Sequence, residues 1–98
     1  MEVPFLRSLT AASYRPLIPN FFENLALMAK SGIPINEALE VLAAETRSPG
    51  FRKVLRKIKG RVEGGTSFAA AMEMYRGVFG DLSVNIIKAG EVNGTLED

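Results

Sequence analysis

The sequence predicts an all-α fold, a compact antiparallel bundle of five helices followed by the first turn of a sixth. Three observations carry this. Apolar residues recur at helical spacing in five successive segments, four of them closed by glycine. No segment alternates apolar and polar residues as a half-buried strand would. The 98 residues, 47% apolar and 23% charged, suit one ordinary globular domain and leave little room for a second.

Residues 1–19 mix apolar and polar positions without a period and carry Pro4, Pro16 and Pro19, so an irregular lead-in or linker is expected there. The domain proper is expected over residues 20–98. The first helix starts near Ile18–Phe21, with Phe22, Leu25, Ala26 and Ala29 at i, i+3, i+4, i+7 and Phe21 and Met28 widening the stripe. Gly32 suits a left-handed C-terminal cap, and Pro34 follows where a helix could not continue. The second helix, about Pro34 to Thr46, presents Ile35, Ala38, Leu39, Leu42 and Ala43, with Glu37 and Glu40 near its positive end. Ser48-Pro49 reads as N-cap and first helical residue of the third helix, which runs to Glu63 with Phe51, Val54, Leu55, Ile58 and Val62 on one side. A shorter fourth helix follows Thr66 or Ser67 and is expected to break at Gly77. The fifth runs from Gly80 or Asp81 to Asn93, with Leu82, Ile86, Ala89 and Gly90 as its apolar line and Gly94 as its cap. Thr95 with Asp98 three positions later approximates a capping box, so a sixth helix is expected to begin where the sequence stops, as in a piece of a longer polypeptide.

The inward set predicted from these stripes is Phe22, Leu25, Ala26, Leu39, Leu42, Leu55, Ile58, Met72, Ile86 and Ala89. There is also an internal echo. Gly32, Ile35, Ala38, Leu39 and Glu40 recur thirty-three positions later as Gly65, Phe68, Ala71, Met72 and Glu73. A helical-repeat array would produce it, and so would two helices that each start after a glycine.

Composition removes most chemistry. Without histidine or cysteine there is no imidazole base, no Ser-His or Cys-His nucleophile, no disulfide and no thiolate metal site. No run approaches the ~20 apolar residues of a membrane span, and no signal peptide opens the chain, so the polypeptide is expected to be soluble. The net charge of +1 hides a segregation. Arg47, Arg52, Lys53, Arg56, Lys57, Lys59 and Arg61 place seven positive charges in fifteen residues; of twelve basic residues this leaves five elsewhere, against all eleven acids, a net of −6. Arg52, Lys53, Arg56 and Lys57 form the candidate partner-contact face, toward an acidic protein or an anionic membrane; the plainer reading is a solvated helix face. Nucleic acid is not expected, because no aromatic side chain lies among the basic ones to stack on bases.

Glu91 stands out for another reason. It falls in the last turn of the fifth helix, where the helix dipole disfavours a carboxylate by ~0.3–1 kcal/mol. A basic side chain, backbone N–H groups around Gly94-Thr95-Leu96, or a cation would offset that cost; an oxygen-only site would take a hard ion such as calcium. No other cofactor is expected.

The segments FFENLALMAKSGIPINEALEVLAAET, RVEGGTSFAAAM and VFGDLSVNIIKAGEVNGTLED together resemble the cytoplasmic domain of the type II secretion system F family, the inner-membrane platform proteins of type II secretion and type IV pilus machines. The most specific pieces are Ser31-Gly32-Ile33-Pro34-Ile35 with Glu37-Ala38-Leu39, and Ala89-Gly90-Glu91 with Gly94 and Leu96. The resemblance marks Gly32, Pro34, Gly90, Glu91 and Gly94 as motif or interface residues. It implies a six-helix bundle on the cytoplasmic face of the bacterial inner membrane and a non-enzymatic scaffold that contacts the assembly ATPase and other machine components, with a homodimer expected. Gly80 departs from the family, which usually has proline after the position of Phe79. The alternative is a free cytosolic helical adaptor that binds RNA or anionic surfaces through the basic third helix.

Overall fold

The computed structural model describes residues 14–93, and every regular element among them is helical. A 3-10 turn, Arg15–Leu17, runs straight into α1 (Ile18–Lys30). It is followed by α2 (Ile35–Glu45), α3 (Pro49–Glu63), α4 (Phe68–Glu73), α5 (Arg76–Phe79) and α6 (Asp81–Asn93). The all-α class is therefore as the patterning predicts. Gly94 and the sixth helix expected from Thr95 lie outside the described residues.

Two connections share one design. After α1, Gly32 takes φ +86°, its N–H donates to Ala29 O (3.0 Å) and the N–H of Ile33 donates to Met28 O (3.0 Å). After α3, Gly65 takes φ +108°, its N–H donates to Val62 O (3.1 Å) and that of Thr66 to Arg61 O (2.9 Å). Both are Schellman caps, in which a left-handed residue returns two N–H groups to the last orphan carbonyls; only glycine enters that region without a Cβ penalty. Each cap launches a helix whose early residues are buried, Ala38 and Leu39 in one and Ala71 and Met72 in the other. The thirty-three-residue echo is thus one turn built twice. The N-caps agree with the sequence reading: Ser48 Oγ accepts from Phe51 N–H (3.1 Å) and Ser67 Oγ from Ala70 N–H (3.1 Å).

α2 and α3 form the most extensive helix pair, an antiparallel hairpin closed by the short link Thr46–Ser48. Leu39, Leu42 and Ala43 from one helix and Phe51, Leu55 and Ile58 from the other are buried in the shared core. An aromatic cluster ties the rest to this hairpin. Phe21 meets Phe51 edge-on at 5.6 Å between ring centroids and Phe79 at 5.7 Å, while Tyr14 lies 5.6 Å from Phe51. Gly50 makes room for this approach, since a Cβ there would overlap the Tyr14 hydroxyl. Tyr14, Leu17 and Ile18 accordingly pack against the core.

Three expectations need correction. Gly77 does not end the helical run: α4 stops at Glu73, and Arg76–Phe79 form a further helical turn containing Gly77, because Val78 and Phe79 are thereby buried. In α1 the inward line is Phe21 and Leu25, with Phe22 half-buried and Ala26 exposed. In α6 the predicted line Leu82, Ile86 and Ala89 faces outward. Leu82 is 74% and Ile86 58% exposed, whereas Val84 and Ile87 are buried. Both lines have helical spacing. The inward one, Val84–Ile87–Glu91, ends on a carboxylate, so apolar spacing alone does not single it out.

Candidate functional site

The basic helix α3 divides when its side chains are followed one by one. Arg52 is spent inside the fold: its Nε donates to Ala43 O (3.0 Å) and its Nη2 to Thr46 O (2.6 Å). These carbonyls belong to the last turn and C-cap of α2, groups that a helix leaves without partners, so the guanidinium closes α2 from across the hairpin. Arg56 reaches Glu40 on α2 with both arms, Nη2 to Oε2 at 2.9 Å and Nε to Oε1 at 3.3 Å. Lys59 pairs with Glu63 (3.3 Å), whose Oε2 also accepts from Asn36 Nδ2 (3.2 Å). These two donors hold the Glu63 carboxyl below the usual carboxylate range, the Asn36 hydrogen bond more than Lys59. Lys53, Lys57 and Arg61 are exposed and enter no hydrogen bond or ion pair among the described residues. Of the four residues on the candidate partner face, two therefore serve the α2–α3 hairpin and two point to solvent.

Glu91 has a backbone partner, at a different place from the one the sequence suggested. Its Oε2 accepts from the N–H of Ala69 (3.0 Å) in the first turn of α4. The carboxylate at the unfavourable end of α6 thus sits at the favourable end of α4, where orphan N–H groups and the dipole both attract negative charge. Ser67 caps the next N–H of the same turn, so side chains from two places satisfy the start of α4. No cluster of three or more potential metal ligands occurs among the described residues. Of the other motif residues, Gly32 forms the first Schellman cap and Pro34 is the extended residue that opens α2, with φ −60° and ψ +149°. Gly90 lies on α6 beside Glu91, and Gly94 is outside the described residues.

One charged centre was not anticipated. Arg76 donates through Nε and Nη2 to the two oxygens of Glu73 (both 2.8 Å) and through Nη1 to Asp81 (2.8 Å), and Lys88 adds a contact to Glu73 at 2.9 Å. The Arg76 hydrogen bonds, with help from Lys88, lower the Glu73 carboxyl to about 2. This network binds α4, α5 and α6 at one corner. Only the i, i+3 spacing of Glu73 and Arg76 was visible in sequence; Asp81 and Lys88 are brought in by the turn at Gly80.

Residues 21–98 match the family described as Type II secretion system (T2SS), protein F. The chain belongs to the type II secretion system F family. Its relatives include a "Type IV pilus assembly protein PilC" of Myxococcus xanthus, 40% identical over 77 residues, which are 79% of this chain and 18% of the relative. The PilC of Thermus thermophilus is 35% identical over 77 residues, covering 79% of this chain and 19% of the relative. The "Type II secretion system protein F" of Xanthomonas campestris is 32% identical over 78 residues, 80% of this chain and 19% of its own length. The chain thus spans about a fifth of the F-family proteins it matches. Among the described residues no helix is long and apolar enough to cross a membrane.

Proposed function

We propose that this chain is a non-catalytic scaffold domain of an inner-membrane platform protein, held at the cytoplasmic face, where it contacts the assembly ATPase and neighbouring machine components and pairs with a second copy of itself. Residues 20–98 are the interaction module, with Tyr14–Pro19 packed onto it. The observation that supports this is the match of residues 21–98 to the family, together with relatives named for type IV pilus assembly and type II secretion. The chemistry agrees with it. Arg52, Arg56, Glu91 and Arg76 are spent on caps and interhelical ion pairs, which is how a rigid docking body is built rather than a reaction centre.

The test is genetic and biochemical. Deleting the codons for residues 20–98 in frame from the parent gene is expected to stop pilus extension or secretion, and the purified chain is expected to retain the assembly ATPase on a column. Intact assembly after the deletion would sink the reading. Sedimentation equilibrium checks the pairing, with a monomer at all concentrations counting against it.

A further inference from the structure

The unpaired cations of α3 fall on one line. Lys53, Lys57 and Arg61 follow each other at i, i+4 and i+8, so they stand about 40° apart around the helix and span about 12 Å along it. Lys53 lies roughly opposite the buried Phe51, Leu55 and Ile58, and the line drifts from there through Lys57 to the flank of the helix at Arg61. Beside it, a shallow open groove is walled by Pro49, Arg52, Lys53, Arg56 and Lys57. The two acids that pair with α3 are already taken, Glu40 by Arg56 and Glu63 by Lys59 and Asn36.

What the face lacks decides its partner. The exposed large apolar side chains among the described residues are Leu27, Val41, Met74, Leu82 and Ile86, none of them on α3. Protein interfaces are anchored by buried aromatic, aliphatic or arginine side chains and are depleted in lysine. Here the two arginines best suited to bidentate recognition are occupied within the fold, and the free charges are chiefly lysines, mobile point charges flanked by the exposed Gly60 and Gly64. Such a surface suits a fluid, negatively charged plane that needs no shape complementarity. We propose that the outer face of α3 rests on the anionic lipid surface of the membrane, through Lys53, Lys57 and Arg61. This rests on the reading of the chain as part of a membrane platform, which holds it beside the bilayer. A few charges then suffice, because tethering replaces a bimolecular encounter by a high local concentration.

The test is partition of the 98-residue chain onto large unilamellar vesicles, pure phosphatidylcholine against mixtures with phosphatidylglycerol, at 50 and 300 mM NaCl. Binding is expected to need phosphatidylglycerol and to weaken at the higher salt. Each basic residue near an anionic surface is worth about fivefold in partition, the equivalent of about 1 kcal/mol. Lys53→Gln with Lys57→Gln should therefore lower partition about 25-fold, while Lys53→Arg with Lys57→Arg retains it. Arg15→Gln with Lys30→Gln makes the same change in net charge elsewhere and should leave partition within about twofold. Equal loss in both Gln pairs overturns the proposal, as does equal binding to neutral vesicles. If the Lys53/Lys57 Gln pair releases the assembly ATPase while vesicle binding is absent, the face belongs to a protein and the lipid assignment falls. A chain that ignores vesicles although its deletion still blocks assembly overturns the lipid face and leaves the scaffold reading standing.

Discussion

Arg52, Glu91 and Glu73 show how much a single charged side chain can do when its partner is backbone or a paired ion. Arg52 and Lys57 lie on the same basic helix, yet only Arg52 closes another helix. Arg52→Gln is expected to cost ~1.5–3 kcal/mol, the usual worth of hydrogen bonds from a charged group, whereas Lys57→Gln should stay within about 0.5 kcal/mol as an exposed substitution. Urea midpoints compare them, and equal effects would show that the carbonyl contacts carry no energy. Glu91→Ala should cost ~0.5–2 kcal/mol, as loss of a helix cap does, with Glu91→Gln intermediate because its carbonyl can still accept from Ala69. If Gln instead stabilises the chain, relief at the end of α6 outweighs the bond to α4. Glu73 sets a pH dependence. Its carboxyl titrates at about 2 when folded against 4.5 ordinarily, so its contribution is complete above pH 4.5 and is lost as pH falls toward 2. Glu73→Gln should therefore flatten the fall of stability across that window. Parallel pH curves for the two proteins would refute the assignment.

At the scale of elements, α6 separates what sequence reveals from what it hides. Its existence and start were legible from the Gly80–Asp81 signal, but its orientation was not. The Leu82/Ile86 line and the Val84/Ile87 line are equally helical in period, and only the packing of α4 and α5 selects between them. Glu91 completes the inward line as a cap for α4, and read as a carboxylate alone it argues for the wrong face. Ile87→Ala is thus expected to destabilise by ~2–5 kcal/mol, as large-to-small core changes do, and Ile86→Ala by under about 0.5 kcal/mol. Reversed values in thermal melts would mean that α6 is rotated. The caps at Gly32, Ser48 and Ser67 were readable because each depends on two or three adjacent residues. The partners of Arg52, Arg56 and Arg76 were not, since each lies on another element and is fixed only by tertiary packing. α5 was hidden for a related reason: Gly77 is a poor helix former, and burial of Val78 and Phe79 overrides it.

For the whole molecule, the family similarity begins at residue 21, but the packed body begins earlier. Tyr14 covers Phe51 and fits the space left at Gly50. A chain starting at Asn20 is expected to melt lower than one starting at Met1, by several degrees if Tyr14 and Leu17 each contribute ~1 kcal/mol of burial. An unchanged melting temperature would return residues 14–19 to the status of linker. The α2–α3 hairpin has a further consequence, which concerns time rather than stability. It is the largest helix pair, its two halves are joined by three residues, and Arg52 fastens that joint. Closing so short a loop costs little chain entropy, so this hairpin is the natural folding nucleus, and α6, joined through the network around Arg76, docks after the barrier. In stopped-flow experiments Leu39→Ala should then slow refolding, while Ile87→Ala leaves refolding nearly unchanged and accelerates unfolding. Among the described elements the chain would lose α6 first and its basic helix last, so the face carried by α3 would outlast the rest of the described fold.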